Sequence, residues 1–330
     1  HLLVLLSGGT SALVAAPPST GDSVSRLSRH GRGSSRAKFT ESVKEELHRV
    51  LVKAGLSIVD TNLIRRHCSG IKGGAALRAA MNAGKNVSVL TISDVYGDVP
   101  ADIGSGPFAP DPTSFAAALQ KAERVSGIPA PVMDHLRAAV MGQIPENLRP
   151  EELSPDRWRF EILARPGDAL TIACQALEEL EETVVPCPMF IDQTWFWGDF
   201  PFVRWVKREN LPIGTWVVAI GEAEVAIPAT VRPGKGGRAS HLVVSLACQF
   251  LQTLRPFELA VVATDGVDGT SDLGGGFLQT SDIEPFTIDH LQGTLTAFDS
   301  ANFLQNIGRS FPGARSGTNF GDILLFRWLG

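Results

Sequence analysis

Residues 87–112, VSVLTISDVYGDVPADIGSGPFAPDP, hold the densest set of groups in this chain that could do chemistry. An apolar, β-branched run over 87–92 reads as a strand covered on both faces. It empties into Ser93 and Asp94, then Asp98, Asp102, Gly104, Gly106 and Asp111, with Pro100, Pro107, Pro110 and Pro112 barring a long helix. Ligands of open parallel sheets bind outside the carboxyl ends of the strands. Carboxylates there suit a magnesium ion arriving with a phosphorylated ligand, because magnesium takes one or two carboxylates plus phosphate oxygens. A single Asp beside Gly more often caps a turn. The argument for a site is that several acids gather at one strand end.

Cations that could meet such a ligand follow a similar logic. Residues 62–74 place Asn62, Arg65, Arg66, His67 and Lys72 ahead of Gly73 and Gly74. Arg65 can grip a carboxylate with two prongs, and Lys72 beside the glycines can approach a phosphate as a point charge; a basic helix end near its own carboxyl-terminal dipole is the competing reading. The strand at 2–6 runs into Ser7, Gly8, Gly9, Thr10 and Ser11, a glycine turn able to aim N–H groups at an anion. A second glycine loop, residues 233–238, ends in Arg238 at a helix start, where the dipole repels a cation unless an anion is bound. Nearby strand ends offer Gly221-Glu222, Asp265-Gly266, Asp268-Gly269 and Thr318-Asn319.

The elements that must hold these residues alternate strand with helix in both halves, so an α/β fold with parallel sheets is expected. Val43, Leu47, Val50, Leu51 and Ala54 recur at helical spacing, which makes that helix scaffold and leaves His48 as a surface histidine. The Arg-rich stretch 17–38 has no aromatics or periodicity and reads as a solvated loop. Trp195, Phe196, Trp197, Phe200, Phe202 and Trp205 cluster within 192–212, a stretch suited to a domain seam or a homodimer contact. The resulting division is 1–191, a linker at 192–212, and 213–330.

At 330 residues the chain can bury two cores. A net charge of −5 gives nucleic acid no basic face, and no apolar run is long enough for a membrane span. Four scattered cysteines without CxxC argue against zinc or a disulfide framework and for a reducing, cytoplasmic setting. The opening HLLVLLSGG has no basic start and so is not a signal peptide; beginning on a strand without Met, it reads as a chain whose natural start lies upstream. No GxGxxG, GxxxxGK[ST], GxSxG or HExxH occurs.

Taken in order, these motifs resemble the class II glycerate kinase family. Its SGGGSAL turn is met by Ser7, Gly8, Gly9, Ser11, Ala12 and Leu13, and its N-x-V-R-x-H-L-S-x-I-K-G-G stretch by Asn62, Arg65, His67, Ser69, Lys72, Gly73 and Gly74. Its S-D-V-x-G-D, I-A-S-G-P and P-D-P runs are met by Ser93, Asp94, Val95, Gly97, Asp98, Ile103, Ser105, Gly106, Pro107, Pro110, Asp111 and Pro112. The leucine-rich MOFRL domain is matched by Gly221-Glu222, Gly234, Gly236-Gly237-Arg238, Asp265-Gly266, Asp268-Gly269, Asp299-Ser300, Gly317-Thr318-Asn319 and Asp322. Thr10, Cys68 and Ala239-Ser240 depart from the family pattern.

The resemblance implies a Rossmann-like amino-terminal domain, a smaller α/β MOFRL domain, and an ATP- and Mg2+-dependent kinase acting on D-glycerate, usually at its 2-hydroxyl, in the cleft between them. On that reading Asp94 holds magnesium or accepts the hydroxyl proton, with Asp98 taking the other role, while Arg238 and Lys72 hold phosphate oxygens and Arg65 the substrate carboxylate. Ser7, Gly8, Gly9 and Ser11 offer amides; Asn62, Glu222, Asp265, Thr318 and Asn319 complete the binding set. The family also carries, ahead of this start, a GKA stretch whose lysine is thought catalytic. A hydroxypyruvate reductase shares the substrate skeleton but lacks support from a dinucleotide fingerprint. An inactive sugar-acid-binding homologue is the remaining alternative.

Overall fold

The computed structural model describes residues 1–7, 10, 16–18, 39–192, 201–223, 225–228 and 230–330. Within them the chain forms two compact units, His1–Leu163 and Ala164–Gly330. The division falls ahead of the aromatic stretch. In this chain the second unit is no smaller than the first.

The first unit carries a three-stranded sheet in the order β1 (Leu2–Leu6), β2 (Val87–Ile92), β3 (Trp158–Ala164). β1 and β2 are parallel, with Leu6 opposite Thr91, so the segments leaving both strands emerge at the same end. Leu2, Val4, Leu6, Val87 and Val89 point to one core with Leu77, Leu148, Trp158 and Phe160. β2 is covered on one face rather than two. Ser88, Leu90 and Ile92 are only half-buried, and Leu3 and Leu5 of β1 are exposed.

The helices of this unit with described bounds include α1 (Glu41–Lys53), α2 (Ile58–His67), α3 (Ala75–Asn82), α4 (Phe115–Ala122) and α5 (Ala130–Val140). A second core of Phe39, Leu47, Leu51, Ile64, Phe115, Val132 and Leu136 joins α1, α2, α4 and α5. α3 packs on β2.

The second unit is built on six strands in the order β4 (Val184–Pro186), β5 (Trp216–Gly221), β9 (Asp322–Trp328), β6 (Phe257–Ala263), β7 (Leu273–Gln279), β8 (Ser310–Pro312). β4 and β5 pair in parallel; β5–β9, β9–β6, β6–β7 and β7–β8 are antiparallel. The expected parallel sheet is therefore replaced here by a mixed one, because the final strand returns between β5 and β6.

α6 (Pro166–Glu178) packs on β4 and β5, while α8 (Arg238–Leu251) packs on β6 and β7. α7 (Pro201–Glu209), α9 (Thr280–Ile283), α10 (Ile288–Thr296) and α11 (Ser300–Asn306) complete the layer around a core of Phe202, Leu242, Leu246, Phe250, Phe257, Phe326 and Trp328. Of the aromatic stretch, Phe202 and Trp205 on α7 face this core; Trp195, Phe196, Trp197 and Phe200 lie outside the described residues.

Candidate functional site

In the first unit the carboxyl ends of β1 and β2 lie side by side, which brings Ser7 and Thr10 to the start of the 93–107 loop. A Cβ on Gly104 would stand 3.0 Å from Thr10 Cγ2. The loop is wound tightly: Gly97, Asp98, Gly104, Ser105 and Gly106 all have positive φ. Such conformations cost roughly 1–3 kcal/mol for a residue with a side chain, and persist where surrounding contacts enforce them. Those contacts come from the basic stretch. Gly73 N–H donates to Ser105 O at 3.1 Å, Gly74 N–H to Gly106 O at 2.7 Å, and Ser105 Oγ to Asn62 Oδ1 at 3.4 Å. Asn62 and the loop carrying Lys72 are thus fastened to the loop that carries Asp94 and Asp98, both of which remain half-buried.

The acids and cations then separate by role. Asp111 is fully buried and accepts from Thr113 N, Thr113 Oγ1 and Asn147 Nδ2, with Arg66 Nη1 at 3.7 Å. Burial alone would raise its carboxyl; the Thr113 hydrogen bond, the Arg66 charge and Asn147 hold it below the ordinary value. Arg66 also reaches Asp102 at 3.3 Å and Ala101 O at 3.1 Å. These three are internal supports of the loop. Asp94 and Asp98 stay at the strand end.

Arg65, one residue along α2 and so about 100° around it, belongs to a different group. Burial pulls the Lys72 ammonium down to about 7, with Arg65 and then Lys44 adding to the fall. Burial also lowers Arg65 and Lys44, and partial burial with Arg65 and Lys72 lowers His48. Lys44 and His48 sit one turn apart on α1, on the same side. The helix read as scaffold therefore adds Lys44 to the basic group, while His48 is exposed, as expected of a surface histidine. Lys44 Nζ donates to Ala16 O at 2.8 Å, as does Gly70 N–H at 3.0 Å, bringing the chain that follows the glycine turn back against this cluster. Clustered ammonium and guanidinium groups repel one another in the absence of an anion, so the cluster is suited to a carboxylate or phosphate. Gly8, Gly9 and Ser11 lie outside the described residues.

Among the described residues no three His, Cys, Asp or Glu side chains form a metal-holding group. Magnesium bound through one carboxylate and phosphate oxygens does not require one. Asp94 at the strand end fits that use by its donor chemistry and partial exposure.

In the second unit β9 runs antiparallel to β5 and β6, so its first residue lies beside their last: Asp322 pairs with Gly221 and Ala263. Glu222, Thr264, Asp265 and the 313–321 loop crowd the same end. Ser316 N–H donates to Asp265 O at 3.1 Å, Asp265 Oδ1 accepts from Val267 N, and Asn319 Oδ1 accepts from Gly321 N. Thr318 N–H is held by Ser316 Oγ.

Arg238 opens α8 at this end. Its Nη1 meets Glu222 Oε1, and its Nε lies 3.5 Å from Asp322 Oδ2. The amino end of α8 is not open to an anion, as the bare sequence suggested. Ala239 and Ser240 N–H donate to Asp268 at 2.8 and 2.9 Å, and Asp299 Oδ1 fixes the glycine loop through Lys235 N. A Cβ on Gly237 would strike Asp268 Oδ1, which is why the loop requires glycine there. Arg238 thus has carboxylates as folding partners, and a third of its side chain is exposed. Sequence reading missed Asp322 as a site residue, although it stands in a matched motif.

A cavity of about 300 Å³ near the opposite, amino end of β6 is lined by Trp216, Glu258, Phe277, Arg309 and Phe311, among others. None of the candidate residues lines it.

Comparison with known proteins agrees with the motifs. The family model described as "Domain of unknown function (DUF4147)" matches residues 1–137, and the model "MOFRL family" matches 215–322. The glycerate 2-kinase of Pyrococcus horikoshii is 27% identical across 98% of this chain and 70% of its own length. A protein of Agrobacterium vitis that carries a hydroxypyruvate reductase name is 29% identical over 98% of this chain and 68% of its own. The crystal structure of glycerate kinase from Thermotoga maritima superposes with a TM-score of 0.70 at 24% identity, covering 99% of this chain and 72% of that one. The chain belongs to the class II glycerate kinase family.

Proposed function

We propose that this protein is an ATP- and magnesium-dependent kinase that phosphorylates D-glycerate on its 2-hydroxyl. The observation that carries the reading is the cationic group of Lys44, Arg65 and Lys72 in the same unit as a strand end bearing Asp94 and Asp98. Glycerate offers one carboxylate and two hydroxyls, ATP a polyanion. Phosphoryl transfer needs in-line positioning and neutralised charge more than covalent help.

Arg65 holds the substrate carboxylate through paired N–H groups, and Lys72 and Arg238 hold phosphate oxygens. Asp94 would hold magnesium, which when bound neutralises charge on the transferring phosphate; Asp98 accepts the hydroxyl proton. Ser7, Asn62, Glu222, Asp265, Thr318 and Asn319 orient the two substrates. That both units contribute to one reaction rests on the family resemblance. It is tested by whether loss of Arg65 and loss of Arg238 each abolish the same activity.

The name carried by the Agrobacterium vitis relative favours a second reading, reduction of hydroxypyruvate. The chain's lack of a dinucleotide fingerprint weighs against it. D-glycerate-dependent ADP release, measured beside hydroxypyruvate-dependent NAD(P)H oxidation, separates the two. ADP release alone supports the kinase, and oxidation alone overturns it.

A further inference from the structure

Asp322 is the first residue of β9 and its side chain is 1% exposed. A carboxylate withdrawn from water that far is costly unless paired and hydrogen-bonded. Among the described residues no donor reaches either Asp322 oxygen at good hydrogen-bonding geometry, and Arg238 Nε finds no well-aligned acceptor. What Asp322 has is the long contact, 3.5 Å, from Arg238 Nε to Oδ2. The neighbouring acids are otherwise engaged: Asp268 takes the N–H groups of α8, and Glu222 takes Arg238 Nη1. As a structural ion pair the arrangement is poor. It makes sense for a guanidinium that must move a short way.

We propose that Asp322 is the positioning residue of Arg238, holding the Nε side of the guanidinium so that its Nη groups can leave Glu222 for the transferring phosphate. The proposal rests on the reading of Arg238 as a phosphate contact. Asp322 itself touches neither substrate. Its charge acts through Arg238, so the variant to examine removes charge while keeping shape.

Asp322 must be ionised to hold Arg238. Burial pushes its carboxyl up to about 7, Arg238 pulling against that rise and Glu222 and Asp268 adding to it. The charged groups facing the pair are Arg238 from α8, Glu222 from the end of β5, and Asp265 and Asp268 from the loop after β6. Turnover should therefore climb with pH through about 7.

The test compares wild type, Asp322→Asn and Arg238→Lys in the full chain, following kcat and KM for ATP from pH 5.5 to 9 (about one unit beyond the expected limb on either side), with melting temperature as the folding control. Asp322→Asn should lower kcat roughly tenfold or more, change KM for ATP by less than about twofold, erase the acid limb, and leave melting unchanged or raised. Wild-type kcat with the limb in place, while Arg238→Lys is impaired, overturns the proposal. Wild-type kcat in Arg238→Lys overturns the reading beneath it. Should Asp322→Asn fail to fold, Asp322→Ser is judged by the same criteria.

Discussion

The residues divide into those that hold a loop and those left at its mouth, and the same substitution should separate them. Asp94→Asn is expected to remove most turnover and leave stability nearly unchanged. Asp111→Asn should instead cost about 1–3 kcal/mol in denaturant unfolding, because it removes the charge facing Arg66 and weakens the buried acceptor of Thr113 and Asn147. Equal loss of stability in both variants would make Asp94 another internal support. Arg238→Lys keeps the charge and loses the planar fork, so kcat should fall with folding intact.

Lys72 makes a pH-dependent prediction. Its folded value is depressed to about 7, so between there and its ordinary range the unfolded chain carries a proton that the folded chain lacks, and stability rises with pH across that window. An anion bound beside it restores the proton. Titration calorimetry of D-glycerate at pH 8 in two buffers of different ionisation heat should show proton uptake that Lys72→Met abolishes; buffer-independent heat would remove Lys72 from the anion site. The candidate acids, Arg65, Lys72 and Arg238 were legible from residue type and spacing. Lys44 and Asp322 were not. The first sits off an apolar helix stripe, where sequence gives no sign of what it faces, and the second was met only as a motif match with no role attached.

At the scale of elements, the site depends on two loops locked together. Gly106 has φ +63°, and a Cβ there would stand 2.7 Å from Ala101 O while its carbonyl receives Gly74 N–H. Gly106→Ala should destabilise the first unit by roughly 1–3 kcal/mol and weaken D-glycerate binding, since the Lys72 loop hangs on that carbonyl. A variant with normal melting and affinity would mean that the loop tolerates the change. Element types were largely readable, as alternation of strand and helix survives in both units. Strand direction in the second unit was not. β9 runs back between β5 and β6, and nothing in its own residues records its neighbours. That reversal brings Asp322 beside Glu222 and Arg238, so the direction that sequence missed is what brings these three side chains together.

For the whole molecule the claim is that a chain of this family transfers phosphate to D-glycerate. One unit carries basic groups with strand-end carboxylates, and the other an arginine between carboxylates. No helix among the described residues is long and apolar enough to cross a membrane. Phosphorus NMR of the full chain with ATP, magnesium and D-glycerate reads the outcome directly. The account predicts a phosphomonoester signal at carbon 2 that grows as the ATP γ signal falls and is absent without D-glycerate. An unchanged spectrum, in a preparation that reduces hydroxypyruvate with NAD(P)H, would contradict it.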